Sequence, residues 1–91
     1  MTTLIELIGQ IDAMDAEDVI VAKPEWHRGS DARIVRLTDD YRVPEETTQL
    51  GYRYFLEVDV IRQVLGEFHG RFDVTLEEKC DRIIHYAVYD A

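Results

Sequence analysis

The spacing of apolar residues divides the chain into six predicted elements. Leu4, Leu7, Ile8 and Ile11 recur at i, i+3, i+4 and i+7, the spacing of one helix face, and Thr2 or Thr3 can cap it. This predicts a helix over about 3–13. Asp15-Ala-Glu-Asp18 breaks it, and the β-branched run Val19-Ile-Val-Ala22 follows as a buried strand. A second strand is predicted from Ala32 to Thr38, with Ala32, Ile34 and Arg36 alternating against Arg33, Val35 and Leu37.

Asp39 to Leu50 is polar and contains Pro44, so it reads as a connection carrying a helical turn after the proline. The third strand is Tyr52 to Val58, with Tyr52, Tyr54 and Leu56 on one side and Arg53, Phe55 and Glu57 on the other. Asp59 is the expected cap of a helix with Val60, Ile61, Val64, Leu65 and Phe68 inward, ending near Gly70. Thr75-Leu-Glu-Glu78 fits a capping box. The helix behind it runs towards Tyr89 and turns Leu76, Cys80, Ile83, Ile84, Ala87 and Val88 to the core.

The order is thus α-β-β-β-α-α in a single domain, residues 1–91, and no repeat, low-complexity tract or linker interrupts it. A short connection between the first two strands favours an antiparallel pair. The fold class that follows is α+β: a small three-stranded antiparallel sheet packed by three helices. Its second face is either an open surface bearing Arg33, Arg53, Val35 and Phe55, or is covered by the Asp39–Leu50 connection.

Charge changes this picture more than composition does. The net charge is -9, and residues 1–18 hold Glu6, Asp12, Asp15, Glu17 and Asp18 without a single Lys or Arg. A second acidic stretch begins at Asp39-Asp40. Such a field repels phosphate backbones, which argues against nucleic acid, and attracts basic proteins. Solubility alone is the competing explanation. With only 91 residues, a deep substrate cleft with its own supporting shell is hard to accommodate, so function is expected on a surface.

The N-terminus has no export-signal pattern, and no apolar run approaches the roughly 20 residues needed to span a bilayer. A cytoplasmic protein without a membrane partner is expected. Cys80 is the one cysteine and reads as a buried free thiol.

Candidate chemistry is sparse, and no cofactor is predicted. His27 with Glu25 and Asp31 has the residue types of a general base and its orienting carboxylate, but at generic spacing. Ser30 lies outside any nucleophile-elbow pattern. Asp81 and His85, four apart on the last helix, form an ion pair or the start of a metal site, and the ion pair is the simpler reading. His69 before Gly70 is a helix-end residue. Trp26, in the loop from Pro24 to Asp31, either seals the core or projects beside Arg28 as an interface anchor.

Three segments carry a resemblance: Thr3-Leu-Ile-Glu-Leu-Ile8, Val19-Ile-Val-Ala-Lys-Pro-Glu-Trp26 and Ile84-His-Tyr-Ala-Val-Tyr-Asp-Ala91. Together they look like a family of small acidic bacterial proteins of unassigned function. Members of such families resemble immunity proteins of toxin systems, including contact-dependent inhibition. The resemblance implies an acidic, non-catalytic inhibitor of a basic toxin or nuclease domain, and supplies no catalytic residues. Asp15, Glu17, Asp18, Asp39 and Asp40 are the expected partner-binding carboxylates, with Trp26 and Arg28 beside them. A structural or regulatory subunit that homo-oligomerises is the alternative, and a small metal-dependent hydrolase a remote one.

Overall fold

A computed structural model describes residues 1–91. Helix α1 (Leu4–Gly9) starts at Thr3, whose side chain and that of Glu6 satisfy each other's backbone amides in a capping box. It is shorter than its periodicity suggests. A 3-10 turn, Ile11–Ala13, carries the same apolar face one step further, and the Arg62 guanidinium donates to the terminal carbonyls of Ile11 and Met14. The start of α1 is also stitched to the sheet edge: Leu4 N–H donates to Ser30 (2.9 Å) and Ala32 N–H to Thr2 (2.9 Å).

The sheet comprises β1 (Val19–Ala22), β2 (Ala32–Val35) and β3 (Arg53–Glu57) in the order β2-β1-β3, with β1 antiparallel to both neighbours. Helix α2 (Glu45–Gln49) is the turn expected after Pro44, in the connection from β2 to β3. β3 runs directly into α3 (Val58–Leu65), which continues as a 3-10 turn over Gly66–Phe68. Glu57 occupies the cap position in place of Asp59. Helix α4 (Leu76–Tyr89) begins at the capping box of Thr75 and Glu78. The fold is α+β as expected, with α2 as a fourth helix.

The main core lies between the sheet and helices α1, α3 and α4, and includes Leu4, Leu7, Ile20, Leu56, Ile61 and Ile83. The strict alternation expected for β3 fails. Ile20 pairs with Leu56 but Val21 with Tyr54, so Phe55 is an extra residue on the edge strand. This bulge lets consecutive residues, Phe55 and Leu56, both turn into the core.

Val19 and Val21 point away from that core and are nevertheless buried, at 1% and 0% exposure. Residues of the β2–β3 connection lie at both ends of this face. Leu37, Thr38 and Tyr41 line a cleft over Val19, and at the other end Gly51 lies against the Lys23 side chain. Gly51 has φ +99°, a left-handed conformation that strains any residue with a Cβ. The Tyr52 ring is buried on this face between Lys23 Nζ (5.1 Å) and Arg33 Cζ (4.8 Å), and its hydroxyl donates to Asp31 (2.8 Å). The second sheet face therefore keeps Arg33 and Arg53 exposed but lacks Phe55. Phe55 is in the core, and Arg53 donates to the carbonyls of Thr48 and Tyr52.

Candidate functional site

At the Val19 end of the sheet, the loop before β1 and the connection after β2 meet. Asp15 opens a turn by accepting from Glu17 N–H (2.9 Å), and that backbone bond is the first cause of a lowered Asp15 carboxyl pKa. Arg36, just beyond β2, reaches all three acids of the loop: Asp15 at 3.2 Å, Glu17 at 3.2 Å and Asp18 at 2.9 Å. The Asp18 bond, aided by the charges of Asp15, Asp18 and Glu17 and opposed by desolvation, leaves the guanidinium pKa raised. One arginine neutralises one of three charges here.

Beside this clamp lies a cleft of about 600 Å³ with Ala16, Val19 and Leu37 in its lining. Glu17, Glu57 and Asp59 contribute carboxylates, and Arg36 is the one cation that lines it. Asp39 and Asp40 occupy the turn between two lining residues, Thr38 and Tyr41, followed by Arg42. That turn is held by Tyr41 N–H donating to Thr38 O (2.8 Å), Thr38 N–H to Arg42 O (2.9 Å) and Arg42 N–H to Thr38 Oγ1 (3.2 Å). Tyr41 adopts φ 61°, which costs a residue with a Cβ about 1–2 kcal/mol, and its side chain is 86% exposed. A strained turn here presents an aromatic ring to water beside a set of carboxylates.

The two predicted acidic connections are thus neighbours in space. Tyr41, Glu57 and Asp59 complete the site and were not among the expected residues. Tyr41 had a usable signal: it is an aromatic residue in a polar stretch without apolar residues at helix or strand spacing. Glu57 and Asp59 had none, since only the pairing of β3 with β1 brings them to this end.

The Trp26 loop lies at the other end of β1 and borders a shallow groove of about 500 Å³ lined by Trp26, His27, Arg28, Asp81 and Ile84. Trp26 packs edge-on against Phe55 (centroids 4.9 Å apart), and its indole N–H donates to Ala22 O (3.2 Å). It packs partly buried against the core, and its outer side borders that groove. Arg28 makes a two-pronged pair with Asp81 (2.9 and 2.6 Å), which raises the guanidinium pKa and holds the Asp81 carboxyl below the usual carboxylate range. Asp81 therefore does not pair with His85, whose ring packs at a tilt of 43° against Tyr89, with centroids 4.7 Å apart.

The catalytic and metal arrangements suggested by residue type are not assembled. Asp31, a candidate orienting carboxylate for His27, instead accepts from Tyr52 and faces Lys23 at 3.7 Å. The buried Ser30 hydroxyl is used locally, accepting from His27 N–H and donating to Glu25 O. His27 Nδ1 accepts from Gly29 N–H (3.1 Å). No three His, Cys, Asp or Glu side chains are grouped to hold a metal ion. Cys80 is fully buried, and burial pushes its thiol pKa up to about 11, the opposite of an activated nucleophile.

No helix is long and apolar enough to cross a membrane. No family model, curated protein or solved structure matches the chain.

Proposed function

We propose that this protein is a non-catalytic binder that holds a basic protein through the acidic cleft, as an inhibitor of the immunity-protein kind does. The carrying observation is the convergence of two acidic connections on one cleft of mixed apolar and acidic lining beside the exposed ring of Tyr41. Long-range attraction between this end and a positive surface speeds encounter, while an aromatic anchor and desolvated charge pairs set the residence time. The same field disfavours nucleic acid. In this reading the protein works in the cytoplasm, where it meets a toxin or nuclease domain and occludes its positive site. Trp26 and Arg28 support the fold without touching the partner.

The test begins with affinity capture of the tagged protein from its native host at low salt, with mass spectrometry of what is retained and released by salt. A stoichiometric basic protein is expected. Against it, the combined change Asp39→Lys, Asp40→Lys and Glu57→Lys should slow association by about 10- to 100-fold, while Tyr41→Ala should chiefly accelerate dissociation. Unchanged rates in both variants would sink the proposal.

A further inference from the structure

A second groove, of about 370 Å³, opens between the end of α1, the end of α3 and the start of α4. It lies away from the acidic cleft, since the two sites adjoin opposite ends of α3. Ile8, Ile11, Leu65 and Leu76 supply its apolar wall. Asp12 and Lys79 contribute opposite charges to its lining without an ion-pair partner within the chain, while Arg62, a second cation of the lining, is taken up by the carbonyls of Ile11 and Met14, and His69 borders it as well. A partly apolar slot whose unengaged charges are one negative and one positive suits a segment in which an apolar side chain sits between a cation and an anion.

The chain carries such a segment next to the groove. Arg71-Phe72-Asp73 lies in the loop between the 3-10 turn at Gly66–Phe68 and the start of α4, and both of those flanks line the groove. Phe72 is 98% exposed, the most exposed large apolar side chain in the protein. Arg71 and Asp73 are paired only with each other, at 3.4 Å and largely in water, an interaction of little net worth. Nothing in the packing of the single chain uses this phenyl ring.

We infer that two copies of this chain associate by exchanging Phe72, each ring entering the other copy's groove, with Arg71 facing Asp12 and Asp73 facing Lys79 across the contact. Because loop and groove are adjacent, a two-fold axis beside them brings both exchanges about at once, the self-complementary arrangement of an isologous dimer. Two rings and four charge pairs bury much less than the roughly 1,600 Å² of a standard stable interface. The dimer is therefore weak and depends on concentration. It leaves the acidic clefts free and would present two of them to a partner.

Sedimentation of the full chain at physiological salt, where the repulsion between two copies of charge -9 is screened beyond about 8 Å, reads this out. Wild type should pass from monomer to dimer as concentration rises into the millimolar range. Phe72→Ser should weaken dimerisation about tenfold or more with unchanged thermal stability, because the ring touches nothing in the monomer. D73K alone sets lysine against lysine, and K79D alone sets aspartate against aspartate, so each should be monomeric. An equimolar mixture of the two restores both opposite-charge contacts and should form the heterodimer. A wild type that stays monomeric throughout, a Phe72→Ser protein that associates normally, or a mixture no more associated than its components would each overturn the inference.

Discussion

The two ends of β1 handle charge in opposite ways. At the Ala22 end, Arg28 meets one carboxylate, Asp81, in a matched two-pronged pair, and the adjacent aromatic ring, Trp26, is folded onto Phe55. At the Val19 end, Arg36 meets three carboxylates while further acids stand around the cleft, and the adjacent ring, Tyr41, is held out in water on a strained backbone. One end pairs its charges and packs its ring. The other carries surplus charge and an unused aromatic surface, at a cost in repulsion and strain that packing does not require. Such unbalanced regions are where a folded chain departs from its own stability optimum, and binding is the usual reason.

The largest expected effect separates the two rings. Phe55→Ala removes the platform under Trp26 from a site that is 2% exposed, and should destabilise the protein by about 3–5 kcal/mol in urea unfolding. Tyr41→Gly removes an exposed ring and relieves the left-handed backbone, while adding freedom to the unfolded chain. These offset, so stability should move by less than about 1 kcal/mol. A comparably large loss at Tyr41 would mean that its ring is structural and would break the comparison.

Much of this contrast was legible in the sequence, but unevenly. Both capping boxes rest on local chemistry, a threonine three residues ahead of a glutamate, although only that at Thr75 had been singled out. Val19–Ala22 is uniformly apolar, so its burial on both faces follows from composition. The bulge at Phe55 escaped, because the run from Tyr52 to Glu57 reads as plain alternation and nothing local marks the skipped pairing. That one step takes Phe55 off the second sheet face. The acidic connections stood out because charge density is a property of short segments. Their meeting with Glu57 and Asp59 depended on which edge of β1 each strand takes, a tertiary choice. Arg36, assigned to a strand, lies just beyond it and is claimed by acids eighteen to twenty-one residues earlier.

A smaller effect sharpens the charge comparison. Arg36→Ala leaves Asp15, Glu17 and Asp18 facing one another without an ion-pair partner, whereas Arg28→Ala leaves Asp81 alone and solvated. The urea midpoint should fall further for Arg36→Ala, and the gap between the two variants should narrow in molar salt, which screens exposed charge. Equal midpoints at low salt would show that the three-acid loop gains nothing from its arginine.

The smallest effect is a difference in acid titration. Asp81 and Asp15 both have carboxyl pKa values lowered by folding, so each adds stability that is fully present above the ordinary carboxylate range, near pH 4, and is lost as pH falls through its folded value. The causes differ. Arg28 is the source of the lowering at Asp81, while at Asp15 the first cause is the backbone N–H of Glu17 and Arg36 comes after it. In a carboxyl-carbon NMR titration, Arg28→Ala should return Asp81 towards the ordinary range, whereas Arg36→Ala should leave Asp15 still lowered. If Asp15 rose as fully as Asp81, the turn at the acidic end would be held by its arginine and not by its own backbone. The carboxylates offered to a partner would then be positioned by the very cation that competes with that partner for them.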